Sequence, residues 1–90
     1  MIALDLIVQG NIVLSNSIIK DGLVGVREGR VAGIFDPQTA PPHHNTIDAR
    51  GQYIVPGIID AHVHCYSTPN EGFVGATRSA AAGGVTTVIE

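Results

Sequence analysis

Residues 55–64 read VPGIIDAHVH, and this stretch decides how the rest of the chain is interpreted. The segment Ile58 to His64 is apolar on nearly every position, as expected for a strand covered on both faces. Because side chains alternate along a strand, His62 and His64 point to the same face, about 6.6 Å apart at about 3.3 Å per residue. Two imidazoles at this separation can converge on one metal ion. Asp60 shares their face one step deeper and could orient a ligand as an outer carboxylate.

A His-X-His pair also occurs on protein surfaces and in satisfied cores, so the pair alone does not decide between these environments. The strand context favours metal binding, because two histidines in a doubly covered strand are costly to bury without partners. His43 and His44 lie in the polar, proline-rich stretch 36–46, which predicts a solvated loop. Cys65 should point away from the His62/His64 face, and we expect a buried thiol there.

The chain beyond the histidines predicts a strand–helix–strand unit. A loop over 65–70 is followed by a helix over 71–82, with Thr68 or Asn70 as its cap and Gly83-Gly84 at its end. Residues 85–89 form a β-branched second strand. A βαβ unit of about 30 residues is parallel by default. Two parallel strands cannot bury both faces alone, so residues 85–89 should present an exposed apolar edge prone to association.

Upstream, short apolar runs alternate with turn residues, which predicts a β-meander within a small sandwich. The runs cover residues 4–8, 12–14, 18–19, 23–26 and 31–35, and a further extended segment covers 47–55. The fold class is therefore α/β: a β-sandwich portion over 1–56 precedes residues 57–90, the first βαβ unit of an incomplete (β/α)₈ TIM barrel.

Composition excludes several classes of function. Of 90 residues, 44% are hydrophobic and 14% charged, so the chain should bury surface against a further layer. The net charge is −3 and the five basic residues are scattered, which argues against nucleic-acid binding. The first residues do not resemble a signal peptide, and no apolar run approaches the roughly 20 residues of a membrane span. A single cysteine excludes an internal disulfide. We therefore expect a cytoplasmic protein.

Three stretches together resemble the amidohydrolase superfamily, specifically the cyclic amidohydrolases (allantoinase, dihydroorotase and hydantoinase). They are the hairpin residues 28–34, the crossing 47–64 that ends in the histidine pair, and the helix and strand residues 71–73 and 77–89. The resemblance covers nearly all of the chain in order and spacing. Tyr66 stands where dihydroorotases usually carry an arginine, and the 71–73 stretch favours an allantoinase-like or hydantoinase-like enzyme.

The resemblance implies that His62 and His64 bind the more buried ion of a centre with one or two divalent metals, usually zinc. It implies a small cyclic amide or ureide as substrate and a homo-oligomer for the complete protein. The remaining ligands and the general base are expected beyond residue 90. Two alternatives stay open: a catalytically inert fragment, and a non-catalytic hydantoinase-like protein that acts through assembly.

Overall fold

The computed structural model describes residues 2–62 and 72–89, which fall into two compact units, Met1–Val55 and Pro56–Glu90. The predictions for residues 63–71, including those for His64, Cys65, the loop and the helix cap, lie outside the described residues. Within the described residues each unit contains one sheet, and the second also contains a helix, which gives a small, sheet-rich mixed structure.

The first unit is a four-stranded sheet with the order β3-β2-β1-β4. Its strands are β1 (Leu4–Val13), β2 (Ile18–Arg27), β3 (Arg30–Phe35) and β4 (His43–Ile54). The first three pair antiparallel, which confirms the meander, but β4 pairs parallel with β1. A short 3-10 turn at Pro37–Thr39 joins β3 towards β4 and is capped by Asp36, whose carboxylate accepts the Gln38 amide at 2.9 Å.

The predicted turns at residues 9–11 and 21–22 are wrong, because β1 and β2 run through them with only a shift in their mutual register. Side chains of β1 hold the neighbouring strand there: Gln9 Nε2 donates to the Asp21 carbonyl at 3.2 Å, and Asn11 Oδ1 accepts the Asp21 amide at 3.2 Å. Asp21 has a φ of 54°, so these two bonds support an unusual backbone conformation inside β2. The polar residues form an irregularity within a long strand pair and do not end the strands.

The predicted loop over 36–46 is wrong from residue 43 onward, because β4 begins at His43. The Leu4 amide donates to the Pro42 carbonyl at 2.8 Å, and the parallel pairing of Leu4 with His43 follows directly. His43 and His44 are nevertheless exposed, as predicted. The strand also continues through Gly51, whose φ of +85° lies within a register irregularity of β4 against β1 and suits glycine.

The core of the first unit contains four buried side chains: Leu4, Ile7, Ile12 and Leu23. Ile7 is only 1% exposed, and burial of such a side chain contributes about 2–3 kcal/mol. Phe35 packs against this core beside Gly25, where an added methyl group would lie 2.7 Å from both Leu4 Cδ1 and Phe35 Cε2. Gly25 therefore provides the space that the two larger side chains occupy.

One face of this sheet carries an apolar row across all four strands. Strand pairing places Ile34 beside Val24, Val24 beside Val8, and Val8 beside Ile47. The row is incompletely covered, since Ile34 is 45% and Ile47 51% exposed. A β-sandwich covers such a face with a second sheet, so the single sheet is consistent with the predicted sandwich segment.

The second unit consists of β5 (Ile58–Asp60), α1 (Gly72–Ala82) and β6 (Val85–Val88). The two strands pair parallel, which confirms the predicted strand–helix–strand order. β5 is not covered on both faces in this chain, because Ile58 is 54% and Ile59 64% exposed. With 11 residues, α1 is too short to cross a membrane, and the described part of the chain contains no longer apolar helix.

Candidate metal centre

The candidate site lies at the carboxyl end of β5. The predicted strand over 58–64 is wrong at residues 61–62, because β5 ends at Asp60. Asp60 is half-buried, and His62 follows two residues later with an exposed side chain. The Asp60 carboxylate oxygen Oδ1 accepts a hydrogen bond from the His62 backbone amide at 3.2 Å. A hydrogen bond from a backbone amide to the side chain of an aspartate two residues earlier closes a local turn. Asp60 thus holds the backbone that carries the first candidate ligand.

The Asp60 end of β5 is itself fixed by β6. The Ile89 amide donates to the Asp60 carbonyl at 2.9 Å, and at the opposite end the Ile58 amide donates to the Gly84 carbonyl at 3.0 Å. The three-residue strand is therefore bonded at both of its ends to the segment around β6. This pairing fixes the position of Asp60, from which the chain continues to His62.

The described residues fit a metal ion in part. Neutral imidazole is a common ligand for zinc, and the exposed His62 ring stands at a strand end, where a ligand is expected. His64 lies outside the described residues. Within 2–62 and 72–89 no group of three or more His, Cys, Asp or Glu side chains is placed to hold a metal.

His43 is unsuited to metal binding because both of its ring nitrogens are used. Nδ1 lies 2.9 Å from the Pro41 carbonyl, to which it must donate, and Nε2 lies 3.0 Å from Thr46 Oγ1. A metal ion on Nε2 would break the second contact. These two contacts tie the His43 ring to the segment around the start of β4.

An ion pair that sequence reasoning did not identify lies on β4. The Arg50 guanidinium donates to both Asp48 oxygens, at 2.9 Å from Nε and 2.7 Å from Nη2. These hydrogen bonds lower the pKa of Asp48 to about 2 and raise the pKa of Arg50. Both groups are solvent-exposed, and the pair lies where the register of β4 against β1 becomes irregular, between Asp48 and Tyr53. The Asp-X-Arg-Gly order was its only sequence signal.

The chain is similar to several known hydrolases. It is 41% identical over 83% of its length to an allantoinase from Bacillus licheniformis, and 41% identical over 100% of its length to one from Rubrobacter xylanophilus. It is 34% identical over 96% of its length to the L-hydantoinase of Paenarthrobacter aurescens. No family model matches the chain.

Two solved structures share its fold. The L-hydantoinase (dihydropyrimidinase) of Arthrobacter aurescens superimposes with a TM-score of 0.80 at 35% identity over 97% of the chain. The N-acyl-D-glutamate deacylase of Bordetella bronchiseptica, in complex with zinc and a phosphonate inhibitor, gives 0.72 at 30% identity over 96%.

The chain spans about a fifth of the length of these relatives, between 18% and 20%. The identities of 34–41% along 83–100% of the chain place it in the amidohydrolase superfamily, and within it in the cyclic amidohydrolases, whose amino-terminal portion it matches.

Proposed function

We propose that the whole protein is a metal-dependent hydrolase that opens a cyclic amide or ureide by cleaving its C–N bond with water. The observation that carries the proposal is the similarity to allantoinases and hydantoinases along 83–100% of the chain. The position of His62 just beyond β5 supports it, because parallel α/β enzymes build their active sites at the carboxyl ends of strands.

In this proposal His62 and His64 bind one divalent ion, with zinc the first choice for imidazole ligands. When bound, such an ion polarises the amide carbonyl and lowers the pKa of a bound water to about 7. The chain's own contribution is positional: β5 carries His62 to the site, and Asp60 holds the His62 amide through its carboxylate. The other ligands, the general base and a second ion belong to parts of the protein beyond residue 90.

The ring substrate belongs to the proposal as well. An allantoinase-like or hydantoinase-like substrate is favoured over dihydroorotate by Tyr66, which replaces the arginine that would hold a substrate carboxylate. We also propose a cytoplasmic homo-oligomer, on the grounds of the composition and the resemblance described above.

The test uses the longest natural form of the protein. Its metal content is measured, and its activity is assayed on allantoin, hydantoin, dihydrouracil and dihydroorotate. We expect bound zinc and turnover of one ring. His62→Asn should lower kcat/KM more than about 100-fold. Residues that only hydrogen-bond to a metal ligand commonly contribute about 10–100-fold to activity, and loss of a ligand itself should cost more.

The matched control is His44→Asn, which alters an exposed histidine on β4 and should leave metal content and activity unchanged. A metal-free, inactive full-length protein would contradict the proposal. That result would favour the non-catalytic alternative, in which the histidine pair no longer has a chemical role.

A further inference from the structure

The pairing of β5 with β6 contains an irregularity. Ile58 pairs with Val85, but the next residue of β5, Ile59, pairs with Thr87. Thr86 is therefore an extra residue in β6 with no partner across the ladder. Bulges of this kind are rare between parallel strands, and they commonly lie near active sites, where they redirect side chains.

The pattern of buried and exposed side chains along β6 independently indicates one extra residue in this strand. Val85 and Val88 are half-buried, whereas Thr86 and Thr87 between them are exposed. A regular strand alternates with a period of two residues, so two inward positions three residues apart require one extra residue between them. Ile58 and Asp60, which are two residues apart on β5, pair with these two valines.

The extra residue packs on a glycine. A methyl group added at Gly57 would overlap Oγ1 and Cγ2 of Thr86 and would lie 2.7 Å from its Cβ. Movement of the side-chain tip would not remove this overlap, because the Cβ is fixed by the backbone and threonine is stiff at χ1. Only glycine at position 57 allows the bulged Thr86 to lie where it does.

We infer that Gly57 and Thr86 form a packing contact that sets the register of β5 against β6 and thereby positions Asp60 and His62 for metal binding. The contact lies next to the Ile58–Gly84 hydrogen bond, at the start of the strand pair. From there the register determines which β6 residue faces Asp60. The Ile89 amide then holds the Asp60 carbonyl, and the Asp60 carboxylate holds the His62 amide.

This role makes Gly57 a positioning residue and rests on the proposed metal centre. In the longest natural form of the protein, Gly57→Ala should weaken zinc binding by on the order of 10-fold. The visible spectrum of the cobalt-substituted protein should change, which reports altered ligand geometry. Hydrogen exchange at the Ile58 and Ile89 amides should become faster in the metal-free protein.

The matched control is Gly83→Ala, because a methyl group there would lie 3.6 Å from its nearest neighbour, the Ala80 carbonyl oxygen, at ordinary contact distance. This variant should keep the zinc affinity, cobalt spectrum and exchange rates of the parent protein. Loss of the same properties in Gly83→Ala would mean that the region is merely sensitive to substitution and would overturn the inference.

Second-site rescue separates this contact from general destabilisation. When Thr86→Gly is added to Gly57→Ala, zinc binding and the slow hydrogen exchange of the parent protein should return. Adding Thr86→Ala should not restore them, because the Cβ of residue 86 remains 2.7 Å from the added methyl group. Equal rescue by both variants, or unchanged exchange in Gly57→Ala, would overturn the inference. Should the parent protein bind no metal, the proposed function fails, while the exchange rates still decide the role of Gly57 in the register.

Discussion

The carboxylate of Asp60 accepts a hydrogen bond from the backbone amide of His62 at 3.2 Å. The aspartate was predicted to orient a metal ligand through its side chain, and the observed bond acts on the ligand's backbone. A contact to the backbone needs an oxygen acceptor at this position but does not need a negative charge.

Substitution of Asp60 distinguishes these two roles. Asp60→Asn keeps the acceptor oxygen and should retain zinc affinity within about 3-fold, whereas Asp60→Ala removes it and should cost on the order of 10-fold. Titration with zinc in competition with a chelator measures both. Equal losses in the two variants would show that the carboxylate charge is required and that the backbone bond is secondary.

The ion pair between Asp48 and Arg50 implies that the Asp48 carboxyl group is protonated only at low pH. Its hydrogen bonds lower the pKa of Asp48 to about 2, so the carboxylate stays ionised in the folded protein well below its ordinary value of 3.8. The folded-state pKa is the lower one, so the pair's stabilisation is present above about pH 3.8 and is lost as the pH falls towards 2. Carbon-detected NMR of the Asp48 carboxyl group measures the midpoint.

Arg50→Met should raise that midpoint towards the ordinary aspartate value, because the guanidinium donors are the largest cause of the shift. The return should be incomplete, because the backbone amide of residue 50, which donates to Asp48 Oδ1 at 3.1 Å, remains. Arg30→Met provides the control, since it removes an exposed arginine elsewhere and should leave the Asp48 midpoint near 2. A normal midpoint in the parent protein would contradict the observed geometry of the ion pair.

The β2–β3 turn predicts a stabilising substitution. Glu28 has a φ of 54° and is followed by Gly29 at 73°, a two-residue turn with positive φ at both positions. Asparagine tolerates this conformation better than glutamate does. Glu28→Asn should therefore raise the free energy of unfolding by about 0.5–1 kcal/mol in denaturant melts.

The control for this turn is Glu28→Gln, which removes the same charge but keeps a long side chain at positive φ. It should change stability by less than about 0.5 kcal/mol, because the 3.7 Å contact of Glu28 with Arg27 is an exposed ion pair. A gain from Gln equal to that from Asn would assign the effect to charge and not to the backbone.

The buried Ile7 predicts a graded loss of stability. Ile7→Val should cost about 0.5–1.5 kcal/mol and Ile7→Ala about 2–5 kcal/mol, because the side chain is 1% exposed and a cavity would remain. Val31→Ala, at a position that is 68% exposed, should stay within about 0.5 kcal/mol. Equal effects at positions 7 and 31 would contradict the placement of the core.

Local patterns predicted the elements that depend on neighbouring residues. The helix ending at Ala82, the parallel strands on either side of it and the turns that join β1 to β2 and β2 to β3 were anticipated from periodicity and turn residues. The interpretation of residues 9–11 failed because the polar side chains of Gln9 and Asn11, which resemble a turn locally, bond to Asp21 on another strand. Such a partner cannot be identified from adjacent residues.

The sequence by itself determined the membership in the cyclic amidohydrolases, the βαβ order and His62 as a candidate ligand, because these depend on residue identity and short-range spacing. Tertiary structure alone decided the parallel pairing of β4 with β1, the bulge at Thr86 and its contact with Gly57. These features depend on hydrogen bonds and steric overlap between residues far apart in the chain. A hydropathy pattern or a motif contains no information about which distant strand supplies the partner.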